Sequence, residues 1–288
     1  MQEHFARVKD LARRITKVEN ESDNYQAILE GLHPSKTPLI GITGAPGAGK
    51  SSLVNALISY WLEQGKRIGI VAVDPTSPFN YGALLGDRLR MAAHFNQEQV
   101  FIRSVGTRGS LGGLCEKIVE ISDVMKDADF DFVLIETVGV GQSEVEIAGL
   151  ADMTIVVLTP DGGDDIQSMK SGIMEIADLI VVNKADRPHA DGYAANLIRH
   201  LHEQDREVPV LKTVATENKG VDALGEAMLH HLESGRINQK RNWLLTEKAF
   251  RLIQKSRMRD IDRNSLYDDV SRESSQSDFN IYAFAKKY

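Results

Sequence analysis

A single cysteine, Cys115, stands in a chain of 288 residues. An internal disulfide is therefore impossible, and the chain alone cannot assemble a cysteine-based zinc or iron–sulfur site; a lone thiol usually packs as a small apolar group. Long apolar runs are also missing. "TIVVLT" and "LIVV" are strand-sized, well short of the about 18–20 residues that cross a bilayer. The amino terminus, "MQEHFARVKDLARR", lacks the apolar core and small-residue cleavage site of a secretory signal. These absences predict a cytoplasmic protein with no membrane association. Nor is there a basic excess: the formal charge is −7, whereas a general nucleic-acid binder carries a basic face, so no nucleic-acid partner is expected. The histidines are scattered. "HLH" at 200–202 and "HH" at 230–231 fall in helical stretches and read as solvated faces, not as a metal-holding arm. No internal repeat is present.

What is there is enough apolar material, 42% of the chain, to bury the core of one large domain with appendages. Phe5, Val8, Leu11, Ala12, Ile15 and Val18 recur at helical spacing and predict a helix over 2–19 with one buried face. A second helix at about 23–31 ends at Gly31, and Pro34 and Pro38 mark a linker. From Leu39 short β-branched runs alternate with helical segments, at 39–43, 68–73, 100–103, 132–136, 154–159, 179–183 and 208–213. Strands that are apolar throughout imply a doubly wound α/β domain, a mostly parallel sheet with helices on both faces. The expected organisation is an N-terminal helical extension (1–37), the α/β domain (38–235), and a C-terminal helix and tail (236–288) that could serve as a dimerisation arm. A helix is expected at about 240–258, with Trp243, Leu244, Phe250 and Ile253 available for packing.

"LIGITGAPGAGKSS" carries Gly44, Gly47, Gly49, Lys50 and Ser51 in the G-x-x-x-x-G-K-[ST] spacing, between an apolar strand and a helix-forming run. The backbone from Gly44 through Ala45, Pro46, Gly47, Ala48 and Gly49 to Ser52 can curl around phosphate oxygens, every residue but Pro46 offering an N–H. Lys50 reaches the β- and γ-phosphates, and the Ser51 hydroxyl is placed to ligate Mg²⁺. The base is addressed later. The run "DLIVVNKAD" ends in Asn183, Lys184 and Asp186, an N-K-x-D arrangement. A carboxylate there accepts from guanine N1–H and the 2-amino group, a donor pair that adenine lacks. GTP/GDP is the expected ligand, and in "LKTVATENKG" the Ala215 amide is a candidate donor to guanine O6.

A GTP hydrolase needs oxygen ligands for Mg²⁺ and a sensor of the γ-phosphate. Asp74 closes the strand "IGIVAVD", Asp87 lies in "LLGDRLRM", and Glu136 closes "FDFVLIE". At or beyond the carboxyl ends of parallel strands, such acids face the crevice where ligands bind. Glu136 is followed by Gly139 and Gly141, which let the backbone swing between states. Lys50, Asp74, Asp87 and Glu136 are the candidate catalytic set, and Ser51, Asp74, Asp87 and Glu136 the candidate metal set. Arg108 and Gln142 are further candidates for the transition state, each with a loop-ordering role as the alternative; Arg88 and Arg90 are ambiguous in the same way.

Taken together, "GAPGAGKS", "AVDPTSPF", "GDRLRM", "FIRSVGTRGSLGGL", "ETVGVGQSE" and "GGDDIQSMKSGIMEIADLIVVNKAD" resemble the MeaB/ArgK GTPases, from about residue 5 to 235. The resemblance implies a P-loop GTPase fold with helical N- and C-terminal extensions. It implies a chaperone of an adenosylcobalamin-dependent acyl-CoA mutase of the methylmalonyl-CoA mutase type, in which GTP hydrolysis gates cofactor loading and protects the enzyme. It also implies a homodimer and, at Asp161 to Lys170, an additional switch that communicates with the mutase. "TPDGGDD" and "SVGTRGSLGG" depart from the family pattern and bear on partner specificity. The alternatives are a metal-insertion GTPase of the urease or hydrogenase accessory type and a P-loop small-molecule kinase.

Overall fold

Seven runs of mostly β-branched residues form one sheet: β1 (Leu39–Thr43), β2 (Ile68–Asp74), β3 (Val100–Gly106), β4 (Phe132–Glu136), β5 (Met153–Leu158), β6 (Leu179–Asn183) and β7 (Val210–Thr213). The computed structural model describes residues 2–74, 91–107, 115, 117–139, 143–161, 173–234, 246, 249–250, 252–254, 256–258, 260–274 and 279–288. Every pairing is parallel, in the order β3-β2-β4-β1-β5-β6-β7. β1, β2, β4, β5 and β6 are buried along their whole length, which is why they read as unbroken apolar runs rather than as alternating ones. The edge strands were harder to bound. β3 continues past the expected 103 to Gly106, because its pairing with Ile68–Asp74 extends through Ser104 and Gly106, which are not apolar. β7 begins at Val210 rather than 208, since Pro209 has no N–H to give the ladder and contributes its carbonyl, which accepts from Ile180 N at 2.9 Å.

Helices cover both faces. On one lies α1 (Gln2–Glu19), whose Leu11, Ile15 and Val18 join Val71, Val73 and Val133 of the sheet and Ile118 and Ile121 of α4 (Ile118–Lys126). The short α2 (Tyr25–Glu30) ends at Gly31. On the other face α3 (Lys50–Glu63) packs beside α7 (Val221–Glu233), and its Leu53, Leu57 and Trp61 have no exposed surface. Each such side chain contributes about 1.5–3 kcal/mol by burial, and the Trp61 ring meets Phe132 edge-on at 4.1 Å between centroids. α5 (Ser143–Leu150) and α6 (Ala190–Glu203) complete the layers around β5 and β6.

At the amino ends of the strands one device occurs three times. Asp131 donates its amide to Arg67 O and accepts from Arg67 N through its carboxylate (2.8 and 2.7 Å). Asp152 does the same with Leu39 (2.7 and 2.8 Å), and Asp178 with Thr154 (2.9 and 2.8 Å). Each aspartate stands just before a strand and pins the first residues of its neighbour. Hydrogen bonds to a charged group contribute about 1.5–3 kcal/mol, so the three clasps fix register as well as stability.

The chain divides into two compact units, Met1–Asn238 and Gln239–Tyr288. In the second, positions 246, 249–250, 252–254 and 256–257 are helical, while Trp243 and Leu244 lie outside the described residues. Phe250 and Ile253, expected to pack, are exposed instead. α8 (Arg263–Glu273) is capped by the Asp262 carboxylate, which accepts from Ser265 N at 2.9 Å. α9 (Ile281–Ala285) is capped by Asn280 and buries Phe284 against Phe279 and Tyr288. Among the described residues no helix is long and apolar enough to cross a membrane.

Candidate functional site

The phosphate loop runs from the end of β1 into α3, at the centre of the sheet where the strand order turns back on itself. Gly44 has φ +145, and a Cβ there would stand 2.1 Å from Val157 O on β5. No other residue lets the loop leave the strand so close to its neighbour. Ala48, Lys50 and Ser51 are buried, whereas Pro46, Gly47 and Ser52 face solvent. The Lys50 ammonium donates to Gly44 O at 2.9 Å and Ala45 O at 3.2 Å. A buried cation held by neutral carbonyls is well placed to receive an anion. α3 begins at Gly49 without a side-chain cap, so the positive end of its dipole and its first amides point the same way.

Two of the three candidate acids, Asp74 and Glu136, stand at this rim of the sheet. Glu136 ends β4 in register with Ile42 of β1 and Ala72 of β2, and its Oε1 accepts from Ser51 Oγ at 2.6 Å, both residues being buried. Asp74, 2% exposed, closes β2 two residues beyond Ala72, at the same rim. Thr137 Oγ1 donates to Thr43 Oγ1 at 3.0 Å, and Thr137 N to Ile42 O at 3.0 Å, which seats the strand end on β1. Two residues on, Gly139 has φ +83, and a Cβ there would lie 2.3 Å from Gly44 O and 2.6 Å from Lys50 Nζ. The segment leaving Glu136 thus rests directly on the phosphate loop. Asp87, Arg88, Arg90, Arg108, Gly141, Gln142 and positions 162–170 lie outside the described residues.

Asn183, expected at the base, proves to be a strut inside the protein. Its Nδ2 donates to Ala48 O at 2.9 Å, while its Oδ1 accepts from Thr213 Oγ1 at 3.1 Å and from Ala215 N at 3.2 Å. Lys184, at φ 56, donates from Nζ to Gly47 O at 2.6 Å. Two side chains of the N-K-x-D segment therefore support two carbonyls of the phosphate loop, and the Ala215 amide is engaged by Asn183. Asp186, exposed at the tip of the following turn, has no hydrogen bond or ion pair among the described residues. The sequence reading overlooked the Ser51–Glu136 bond and the inward role of Asn183. The first had a readable signal, since motif hydroxyl and strand-end acid belong to neighbouring elements of the same rim.

Comparison with known proteins agrees with this geometry. The family described as "Methylmalonyl Co-A mutase-associated GTPase MeaB" matches residues 11–270. A putative GTPase of Pyrococcus abyssi is 40% identical over 290 residues, covering 95% of this chain and 90% of its own. The GTPase ArgK of Escherichia coli is 34% identical over 284 residues, covering 92% and 85%. Among solved structures, that of a protein called a LAO/AO transport system kinase superposes with a TM-score of 0.63 at 26% identity, over 96% of this chain and 93% of that one.

Proposed function

This chain belongs to the family of methylmalonyl Co-A mutase-associated GTPases, and from that premise we propose that it couples GTP hydrolysis to the care of an adenosylcobalamin-dependent acyl-CoA mutase, gating cofactor loading and protecting the enzyme. Membership makes it a GTP-hydrolysing enzyme that binds guanine nucleotide. The partner is proposed from the family's name, and with it a homodimer, a cytoplasmic location, and a catalytic domain over 38–235 flanked by a helical extension and a dimerisation arm.

The geometry supports the following proposed roles. Amides of the loop 44–52 and the Lys50 ammonium orient and neutralise the β- and γ-phosphates. The Ser51 hydroxyl and the buried carboxylates of Asp74 and Glu136 are hard oxygen donors, a set whose chemistry fits Mg²⁺, and Asp87 is proposed to join it. When bound, Mg²⁺ would neutralise charge developing on the phosphate oxygens. Asp186 accepts from guanine N1–H and the 2-amino group. Asn183 and Lys184 hold the base loop against the phosphate loop. For Ala215 to reach guanine O6, its amide must be shared with Asn183 Oδ1.

The observation that carries a switching reading is the 2.6 Å Ser51–Glu136 hydrogen bond. It ties the helix leaving the phosphate loop to the strand that feeds Gly139, so a change at the phosphates reaches that segment within one contact. Steady-state GTP hydrolysis should be slow alone, about 10⁻⁴–10⁻² s⁻¹ by analogy with small GTPases, and should rise with the cobalamin-dependent acyl-CoA mutase of the same source. Glu136→Ala should abolish the rise. An unchanged rate with intact GTP binding would remove the mutase and favour a metal-insertion role. Transfer of labelled γ-phosphate to a small metabolite would favour a kinase, which is what one structural neighbour is called.

A further inference from the structure

Asp186 is the residue on which guanine recognition depends in the reading above, and its sequence neighbour is a cation. Arg187 nevertheless does not fold onto it. Its guanidinium pairs with Asp161, which lies just beyond β5, each side chain 45% exposed. The turn that presents Asp186 is held elsewhere too: Ala185 N donates to Thr213 O at 3.0 Å, Arg187 N to Lys184 O at 3.1 Å, and Lys184 Nζ to Gly47 O. A second cation, Lys219, stands within the field of Asp186 and is likewise engaged by another acid, its Nζ lying 2.6 Å from Glu217 Oε2. Glu217 is the chief cause of the raised Lys219 pKa and the charge of Asp186 the least. Arg187 and Lys219 are thus each engaged by a carboxylate other than Asp186, and Lys184 by a carbonyl.

We propose that Asp161 is a specificity-determining residue which sequesters Arg187 and so keeps the Asp186 carboxylate available to the guanine ring. The inference rests on Asp186 as the guanine acceptor. The physical argument is competition. A carboxylate that pairs with an adjacent guanidinium must break that pair before it accepts from N1–H and the 2-amino group. With Asp161 neutral, Arg187 has Asp186 as its nearest acid in sequence. An exposed pair of this kind is weak, about 0.2–1 kcal/mol, which converts to about a 1.5- to 5-fold change in affinity.

The test uses the full-length protein and the fluorescent nucleotide mant-GDP, with unlabelled GDP and IDP as competitors; IDP lacks the 2-amino group. Asp161→Asn should weaken mant-GDP binding about 1.5- to 5-fold, lower the GDP-over-IDP preference, and lose much of its effect at high salt. Arg187→Gln should bind at least as tightly as the parent. The double variant Asp161→Asn/Arg187→Gln should return to the parent value, since nothing is left to compete. If the pair is only a tether for the loop, Arg187→Gln weakens binding as much as Asp161→Asn and the double variant shows no rescue, which overturns the proposal. No change in Asp161→Asn overturns it as well. Asp186→Asn separates this failure from failure of the base reading: it should abolish the GDP-over-IDP preference, and if it does not, Asp186 is not the guanine acceptor.

Discussion

Asn183→Ala should be costly to the nucleotide-free protein, for reasons internal to the fold. The carboxamide makes three hydrogen bonds, to Ala48 O, Thr213 Oγ1 and Ala215 N, and Asn183 itself is 2% exposed. Its three partners lie in residues no more than 6% exposed, so truncation strands them where water has poor access. At about 1 kcal/mol for each bond, the lower end of the range for leaving a buried group unsatisfied, the loss is about 3 kcal/mol. In a unit of this size each kcal/mol moves the thermal midpoint by about 2–4 °C, giving a drop of about 6–12 °C. Thr213→Val removes one bond and keeps the shape, and should cost about a third as much. Thermal melts followed by circular dichroism without nucleotide measure both. If Asn183→Ala loses no more than Thr213→Val, the strut is not holding the two loops together and the reasoning fails.

Other consequences are simpler to state. Gly44→Ala should abolish mant-GDP binding, because its Cβ would stand 2.1 Å from Val157 O and the loop must shift to relieve it; binding within two-fold of the parent, about 0.4 kcal/mol, would count against a rigid loop. Asp127 should contribute to acid sensitivity. Burial pushes its pKa up, but the Arg14 guanidinium together with the His33 amide and ring outweighs burial and holds it below the ordinary 3.8. A carboxyl depressed on folding contributes stability in full above its unfolded value and loses it as pH falls through the folded one. The thermal midpoint of the parent should therefore fall more steeply below pH 4 than that of Asp127→Asn, and parallel curves would contradict this.

The strands were legible because fully buried parallel strands carry an apolar signal in every residue; β1, β4 and β6 match at both ends. α1 was equally plain, its spacing marking the face that buries Leu11, Ile15 and Val18, although Phe5, expected on that face, is exposed. Edge strands were less so, since β3 keeps its pairing through Ser104 and Gly106, where hydropathy gives no reason to continue. Within the site, motif spacing placed Lys50, Ser51 and Glu136 at one rim, yet it could not say that Asn183 turns inward, because an amide serves a ligand and a carbonyl equally well. In the sequence nothing sets the aspartates before β4, β5 and β6 apart from other strand-flanking acids. Only pairing shows that each meets both backbone groups of one residue at the amino end of a neighbouring strand.

Those aspartates make the two rims of the sheet mechanically unequal. Strands stitched at their amino ends cannot slide lengthwise past one another, so a rearrangement begun at the phosphate loop has no route down the strands to the opposite rim. It must spread sideways, from the Gly44 loop to the Glu136 segment and to the turns after β5 and β6. A protein that reads the nucleotide state of this chain would then have to touch the carboxyl rim, and the clasped rim would present the same surface whatever nucleotide is bound.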